Sequence, residues 1–237
     1  MDEENKQPVR PNDFLKGTIF DPDNPKNQEI LKNLPDKIEV QPPEKKKPTV
    51  QEFWKLSEIP TRFRRSDLEM RGVWNEKLNM MIPKLRSEPG FILAIRGPRG
   101  TGKTQLAVEL LRHASTVLGL KTRFTSARDI QLATTSSFKS QDVTDLQILQ
   151  ALISVDVLLV DEFDWQPLDK THYFNTNLFY ILDKRYAWCR STILTSNATI
   201  EQFQQQTDPG ILSRMNESGG RIDCDDWQDQ RKLRRIR

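Results

Sequence analysis

From about Thr49 the chain alternates short apolar runs with longer stretches whose apolar residues recur at helical spacing. Val50, Phe53, Trp54 and Leu56 approach that spacing before Ile59-Pro60 ends the turn. An amphipathic helix is expected over about 68–85, closed by Glu88-Pro89-Gly90. Phe91 to Ile95 is short, wholly apolar and bounded by turn residues, the mark of a buried strand. A glycine-rich loop follows, then a helix over 105–118 with Leu106, Leu110, Leu111 and Ala114 on one face and Gly119 as its stop. Further strands are predicted over 121–125, 155–160, 191–196 and 220–223, with helices near 142–152 and 175–188. Strands alternating with helices predict an α/β fold, a parallel sheet covered on both faces as a three-layer α/β/α core. Such a sheet binds its ligand at the carboxyl ends of the strands.

Before Thr49 the pattern is different. Prolines punctuate the stretch, Pro42-Pro43 and Pro48 flank Lys45-Lys46-Lys47, and apolar residues are too sparse to make a core. Ile30, Leu31 and Leu34 could share one face of a short helix over 27–34, as in peptides that dock on a partner; a disordered leader fits the composition equally well. The chain therefore divides into a partner-binding segment and linker, partly disordered, at 1–48 and a catalytic core at 49–237.

Composition narrows the class. Hydrophobic residues make up 36% of the 237 and charged residues 29%, enough for one α/β core with a polar surface. No run of about eighteen apolar residues is present and MDEENKQPVR has no signal-peptide pattern, so a cytoplasmic location without a membrane is expected. Cys189 and Cys224 lack metal-site spacing and read as reduced structural thiols. The net charge is only +3, but Arg231-Lys232-Leu233-Arg234-Arg235-Ile236-Arg237 is densely basic, either a phosphate contact or a solvated tail.

The chemistry is concentrated in three places. Gly97-Pro98-Arg99-Gly100-Thr101-Gly102-Lys103-Thr104 satisfies G-x-x-x-x-G-K-[ST] at every fixed position, between a predicted strand and a predicted helix. Its glycines let backbone N–H groups turn toward phosphates, Lys103 is placed to hold the β- and γ-phosphates of ATP, and the Thr104 hydroxyl to ligate Mg²⁺. The second is Val157-Leu158-Leu159-Val160-Asp161-Glu162, an apolar strand ending in adjacent carboxylates: Asp161 for Mg²⁺ and Glu162 as general base toward water. The third is Thr195-Ser196-Asn197, where Asn197 either orients the attacking water or simply forms a turn.

These elements resemble the AAA+ ATPase core and, within it, DnaC-type helicase loaders and their IstB-like relatives. The likeness runs from about Ile59 to Gln230 and includes Ile59-Pro60-Thr61-Arg62-Phe63-Arg64, Val160-Asp161-Glu162-Phe163, Asp183-Lys184-Arg185-Tyr186, Thr195-Ser196-Asn197 and Leu212-Ser213-Arg214-Met215. It implies that Asn197 is the sensor residue, and that Arg214 is the finger that reaches ATP in a neighbouring subunit, so that ATP favours a homo-oligomer. Only about a dozen residues follow the last strand, too few for the usual AAA+ helical lid. The resemblance further implies an ATPase that grips a replicative DNA helicase through its N-terminal segment and engages single-stranded DNA. Ser126, Arg128 and Lys139 are candidate channel-loop residues, and Trp165, Tyr173 and Phe174 are either base-stacking platforms or packing. An IstB-like ATPase serving a transposase, or a nucleotide-gated adaptor that barely hydrolyses ATP, shares the same motifs.

Overall fold

A computed structural model describes residues 47–65, 73–136, 145–163 and 172–230. Thr49 and Glu52 open the first helix, α1 (Val50–Leu56), with a reciprocal capping box: the Thr49 hydroxyl accepts from the Glu52 N–H and the Glu52 carboxylate accepts from the Thr49 N–H at 2.8 Å. A single 3₁₀ turn, Thr61–Phe63, leads toward α2 (Val73–Ser87). The core then runs β1 (Ile92–Arg96), α3 (Lys103–Thr116), β2 (Thr122–Ser126), α4 (Ala127–Ser136), α5 (Asp145–Ser154), β3 (Val157–Asp161), α6 (His172–Ala187), β4 (Ser191–Ser196), α7 (Ile200–Gln206), α8 (Pro209–Glu217) and β5 (Gly219–Asp223).

The five strands among the described residues pair in parallel, in the order β2-β3-β4-β1-β5. The period-2 geometry of β1 divides the core in two. Leu93 and Ile95 point to the face covered by α1, α2 and α3, together with Leu159, Ile193 and Ile222. Ile92 and Ala94 point to the opposite face, where α4 to α8 pack with Leu158, Val160 and Leu194. This is the expected three-layer α/β/α P-loop fold with a parallel sheet. Among the described residues no helical lid follows β5, and no helix is long and apolar enough to cross a membrane.

Three helices were not anticipated. α7 starts at a Thr199–Gln202 capping box and carries few apolar residues, so its periodicity is weak. α8 starts at Asp208, whose carboxylate accepts from the N–H groups of Gly210 (2.8 Å) and Ile211 (3.3 Å), with Pro209 in the first turn. α4 corrects the expectation of a loop there: Ser126 ends β2 and its hydroxyl accepts from the Asp129 N–H at 3.0 Å, while the Asp129 carboxylate accepts from the Ser126 hydroxyl at 2.7 Å. Ser126 therefore caps a helix and Arg128 lies within it; neither belongs to an open loop. Lys139, Trp165, the side chains of Tyr173 and Phe174, the basic run 231–237 and the leader through Lys46 lie outside the described residues.

Cys224 is buried and Cys189 exposed, both as free thiols, so only one of the two has the burial expected of a structural cysteine.

Candidate nucleotide site

The chain leaves β1 toward β2 at one edge of the sheet and leaves the adjacent β4 toward β5 at the other, so the connections diverge between β1 and β4 and a crevice opens beyond their carboxyl ends. The glycine-rich loop fills the rim of that crevice. It leaves the sheet through a hydrogen bond from the Gly97 N–H to the Ser196 carbonyl (3.2 Å) and enters α3 at Gly102, whose φ of 95° is the left-handed region that glycine adopts without strain. A Cβ at Gly102 would collide with the Trp74 ring, so close approach as well as conformation demands glycine there.

Lys103 begins α3 and is only 6% exposed. Its ammonium donates to the carbonyls of Gly97 (2.7 Å) and Pro98 (2.8 Å) and to the Asn197 side-chain oxygen (3.1 Å). These partners hold a buried charge at the mouth of the loop, where phosphate oxygens could take their place. The Thr104 hydroxyl donates to Asp161 Oδ1 at 2.8 Å, and the Thr195 hydroxyl donates to the same oxygen at 2.5 Å. Burial pushes the Asp161 carboxyl above the ordinary range, opposed by those two hydroxyls and reinforced by the neighbouring Glu162 charge. Asp161 makes no ion pair among the described residues, so this desolvated carboxylate with a hydroxyl beside it is a fitting ligand for a divalent cation. Glu162 follows with φ 54° and an exposed side chain, turned into the same cleft.

Lys103, Thr104, Asp161, Glu162 and Asn197 thus line one cleft, as the sequence pattern requires. Arg214 does not. It sits on α8, donates to Asp183 at 2.7 Å and lies 4.7 Å above the Tyr186 ring, beside a separate surface groove with Tyr180 and Asp208. Tyr186 is fixed in turn by a 2.5 Å bond to Glu217.

Sequence reasoning gave no site role to the other wall of the cleft: Arg62, Phe63, Arg65, Trp74, Gln105 and Gln230. Residues 224–230 run back along the loop, with the Gln230 N–H on the Gly100 carbonyl (2.9 Å), the Asp229 carboxylate where a Gly100 Cβ would be, and Trp227 at 6.2 Å from Trp74. No periodicity links these distant segments. Only the Thr61-Arg62-Phe63 stretch was signalled, as part of the resemblance.

The replicative helicase loader DnaC of Escherichia coli K12 is 29% identical over 123 residues, 50% of this chain and 47% of that protein. An uncharacterized protein of the same organism, YdaV, is 29% identical over 142 residues, 58% of this chain and 54% of that one. The chain thus spans about half the length of the curated relatives it matches. Among solved structures, a DNA replication initiation factor superposes with a TM-score of 0.56 at 23% identity, over 71% of this chain and 51% of that one. The DnaC helicase loader superposes with a TM-score of 0.55 at 19% identity, over 73% and 98%. At such identities the structural likeness speaks for the fold alone. The sequence family described as IstB-like ATP binding protein matches residues 88–215, more than half of the 237, from the turn before β1 into the last turn of α8. The chain belongs to the IstB-like ATP-binding family.

Proposed function

We propose that the protein is an ATP-dependent helicase loader, which binds a replicative DNA helicase through residues 1–48 and delivers it to single-stranded DNA as replication starts. The observation that carries this reading is the convergence of Lys103, Thr104, Asp161, Glu162 and Asn197 on one cleft, in a chain similar to the helicase loader DnaC. Lys103 exchanges its carbonyl partners for the β- and γ-phosphates, and the loop N–H groups take the remaining phosphate charge. Thr104 and Asp161 hold Mg²⁺, which when bound neutralises charge on the phosphates. Phe63 and Trp74 supply an aromatic wall for the base.

For hydrolysis, Glu162 takes a proton from water as the water oxygen attacks the γ-phosphorus, and the bond to the β-phosphate oxygen breaks to give ADP and phosphate. Asn197 orients that water. Arg214, outside its own cleft, reaches the γ-phosphate of a neighbouring copy, so ATP favours a homo-oligomer and turnover requires one.

The test is capture from host cells with the Glu162→Gln protein and ATP. Replacing the base is expected to lower turnover by roughly 10²–10⁴-fold while binding persists. Recovery of a replicative helicase, lost on deleting residues 1–48, supports the loader reading. A transposase in its place moves the protein to the transposition branch with the same site chemistry.

A further inference from the structure

We propose that Thr195 is the positioning residue for both carboxylates at the end of β3, holding Asp161 and Glu162 in their relative arrangement and linking them to Asn197. The proposal rests on the hydrolytic reading above and gives a role to Thr195, which the Thr195-Ser196-Asn197 stretch contains but in which only Asn197 was assigned one.

The β3–β4 ladder runs from Val157↔Ser191 to Val160↔Leu194. Past that point, where the acidic residues sit, three hydrogen bonds from one residue join the two strands. The Thr195 hydroxyl donates its single proton to Asp161 Oδ1 at 2.5 Å. The Thr195 hydroxyl oxygen in turn accepts the Glu162 N–H at 3.0 Å. The Thr195 carbonyl accepts the Phe163 N–H at 2.6 Å. Glu162 is thus bracketed by bonds on its own N–H and on the next, and it is the residue with φ 54°. A left-handed glutamate persists where its surroundings over-determine it, and here Thr195 provides that determination.

The identity of the side chain matters. A buried Thr195, 2% exposed, could be an ordinary β-branched strand residue. Valine would keep that shape and the carbonyl bond to Phe163, but would leave the Glu162 N–H without this acceptor and remove one of the two hydroxyls on Asp161 Oδ1. Serine would keep the hydroxyl and lose only a methyl. Two residues further on, Asn197 accepts from the Lys103 ammonium at 3.1 Å. A ligand that draws on Lys103 and Asn197 therefore acts on the strand end that holds both acids.

The full-length chain and its Thr195→Val, Thr195→Ala and Thr195→Ser variants are to be compared in two readouts: steady-state ATP turnover, and affinity for a fluorescent ATP analogue as Mg²⁺ is titrated. Removing a positioning partner from a metal-binding carboxylate is expected to cost about 10–100-fold in kcat and in the Mg²⁺ concentration needed for tight binding. Thr195→Val and Thr195→Ala should both show it, with Mg²⁺-free nucleotide affinity, and KM at saturating Mg²⁺, within about threefold of wild type and Thr195→Ser restoring both readouts. Wild-type kcat and Mg²⁺ dependence in Thr195→Val would overturn the proposal. So would a serine variant as impaired as the valine one, because shape rather than the hydroxyl would then matter. Should the wild-type chain itself fail to turn over ATP, the hydrolytic reading falls, and the Mg²⁺ titration still decides whether Thr195 positions Asp161.

Discussion

At the amino ends of β3 and β4, Arg185 is fully buried and distributes its donors over the carbonyls of Leu152, Ile153, Val155, Asp156 and Ser191 and the Thr192 hydroxyl. At the carboxyl end of the same sheet, Lys103 is nearly as buried and donates to two loop carbonyls and one amide. Both are cations removed from water, and burial pushes the Arg185 guanidinium down to about 9. They differ in what their partners can release. Arg185 uses a rigid planar fork to fasten chain segments entering the sheet, and removing it takes a donor from each of their carbonyls. Lys103 carries a rotatable ammonium at the edge of a cleft, on partners that phosphate oxygens can replace. Burial of a charge therefore does not separate a structural cation from a functional one; the exchangeability of its partners does.

The largest effect that sharpens this contrast is expected from Lys103→Ala. Nucleotide affinity should fall by at least about 100-fold, since a charge-assisted contact to two phosphates is lost. The thermal midpoint of the free protein should change little, as isothermal calorimetry and differential scanning would show. Arg185→Met should do the reverse, losing about 3 kcal/mol of stability through carbonyls deprived of a donor in denaturant titration, with nucleotide affinity of the folded protein unchanged at low temperature. If Arg185→Met weakened nucleotide binding as strongly as Lys103→Ala, the division between the two ends would be wrong.

The smallest effect concerns the cysteines. Burial pushes the Cys224 thiol up to about 12, and it packs under Gly97. Near pH 8 it stays protonated and should resist iodoacetamide until the chain unfolds, whereas the exposed Cys189 should be alkylated. Mass spectrometry of the native protein would show one modification, at Cys189.

The strand, glycine-rich loop and helix that border the cleft were legible because their signals are local: apolar runs, glycines at fixed spacing, acids at a strand end. Element limits shifted by a few residues, as with the first core strand at Ile92–Arg96 and the helix after the loop at Lys103–Thr116. α7 and α8 escaped because their stability lies in caps and packing rather than in a long apolar stripe. The Asp183-Lys184-Arg185-Tyr186 stretch was visible only as a likeness; folding reveals Arg185 as a clamp and Asp183 and Tyr186 as the seat of Arg214. Thr195 was passed over for Asn197, since a threonine in a strand is unremarkable until register sets its hydroxyl against Asp161. The cleft wall of Phe63, Trp74 and Gln230 comes from segments far apart in the chain, and no one-dimensional pattern joins them.

The central claim is an ATP site completed by a neighbour's Arg214, and subunit mixing tests it most directly. On the proposed reading, Lys103→Ala protein keeps the finger and lacks the nucleotide, whereas Arg214→Ala protein keeps the nucleotide and lacks the finger. Each alone should be inactive, and an equimolar mixture should recover ATP turnover at concentrations where the subunits assemble. Normal turnover by the Arg214→Ala protein alone, or a mixture as inactive as its components, would contradict the account.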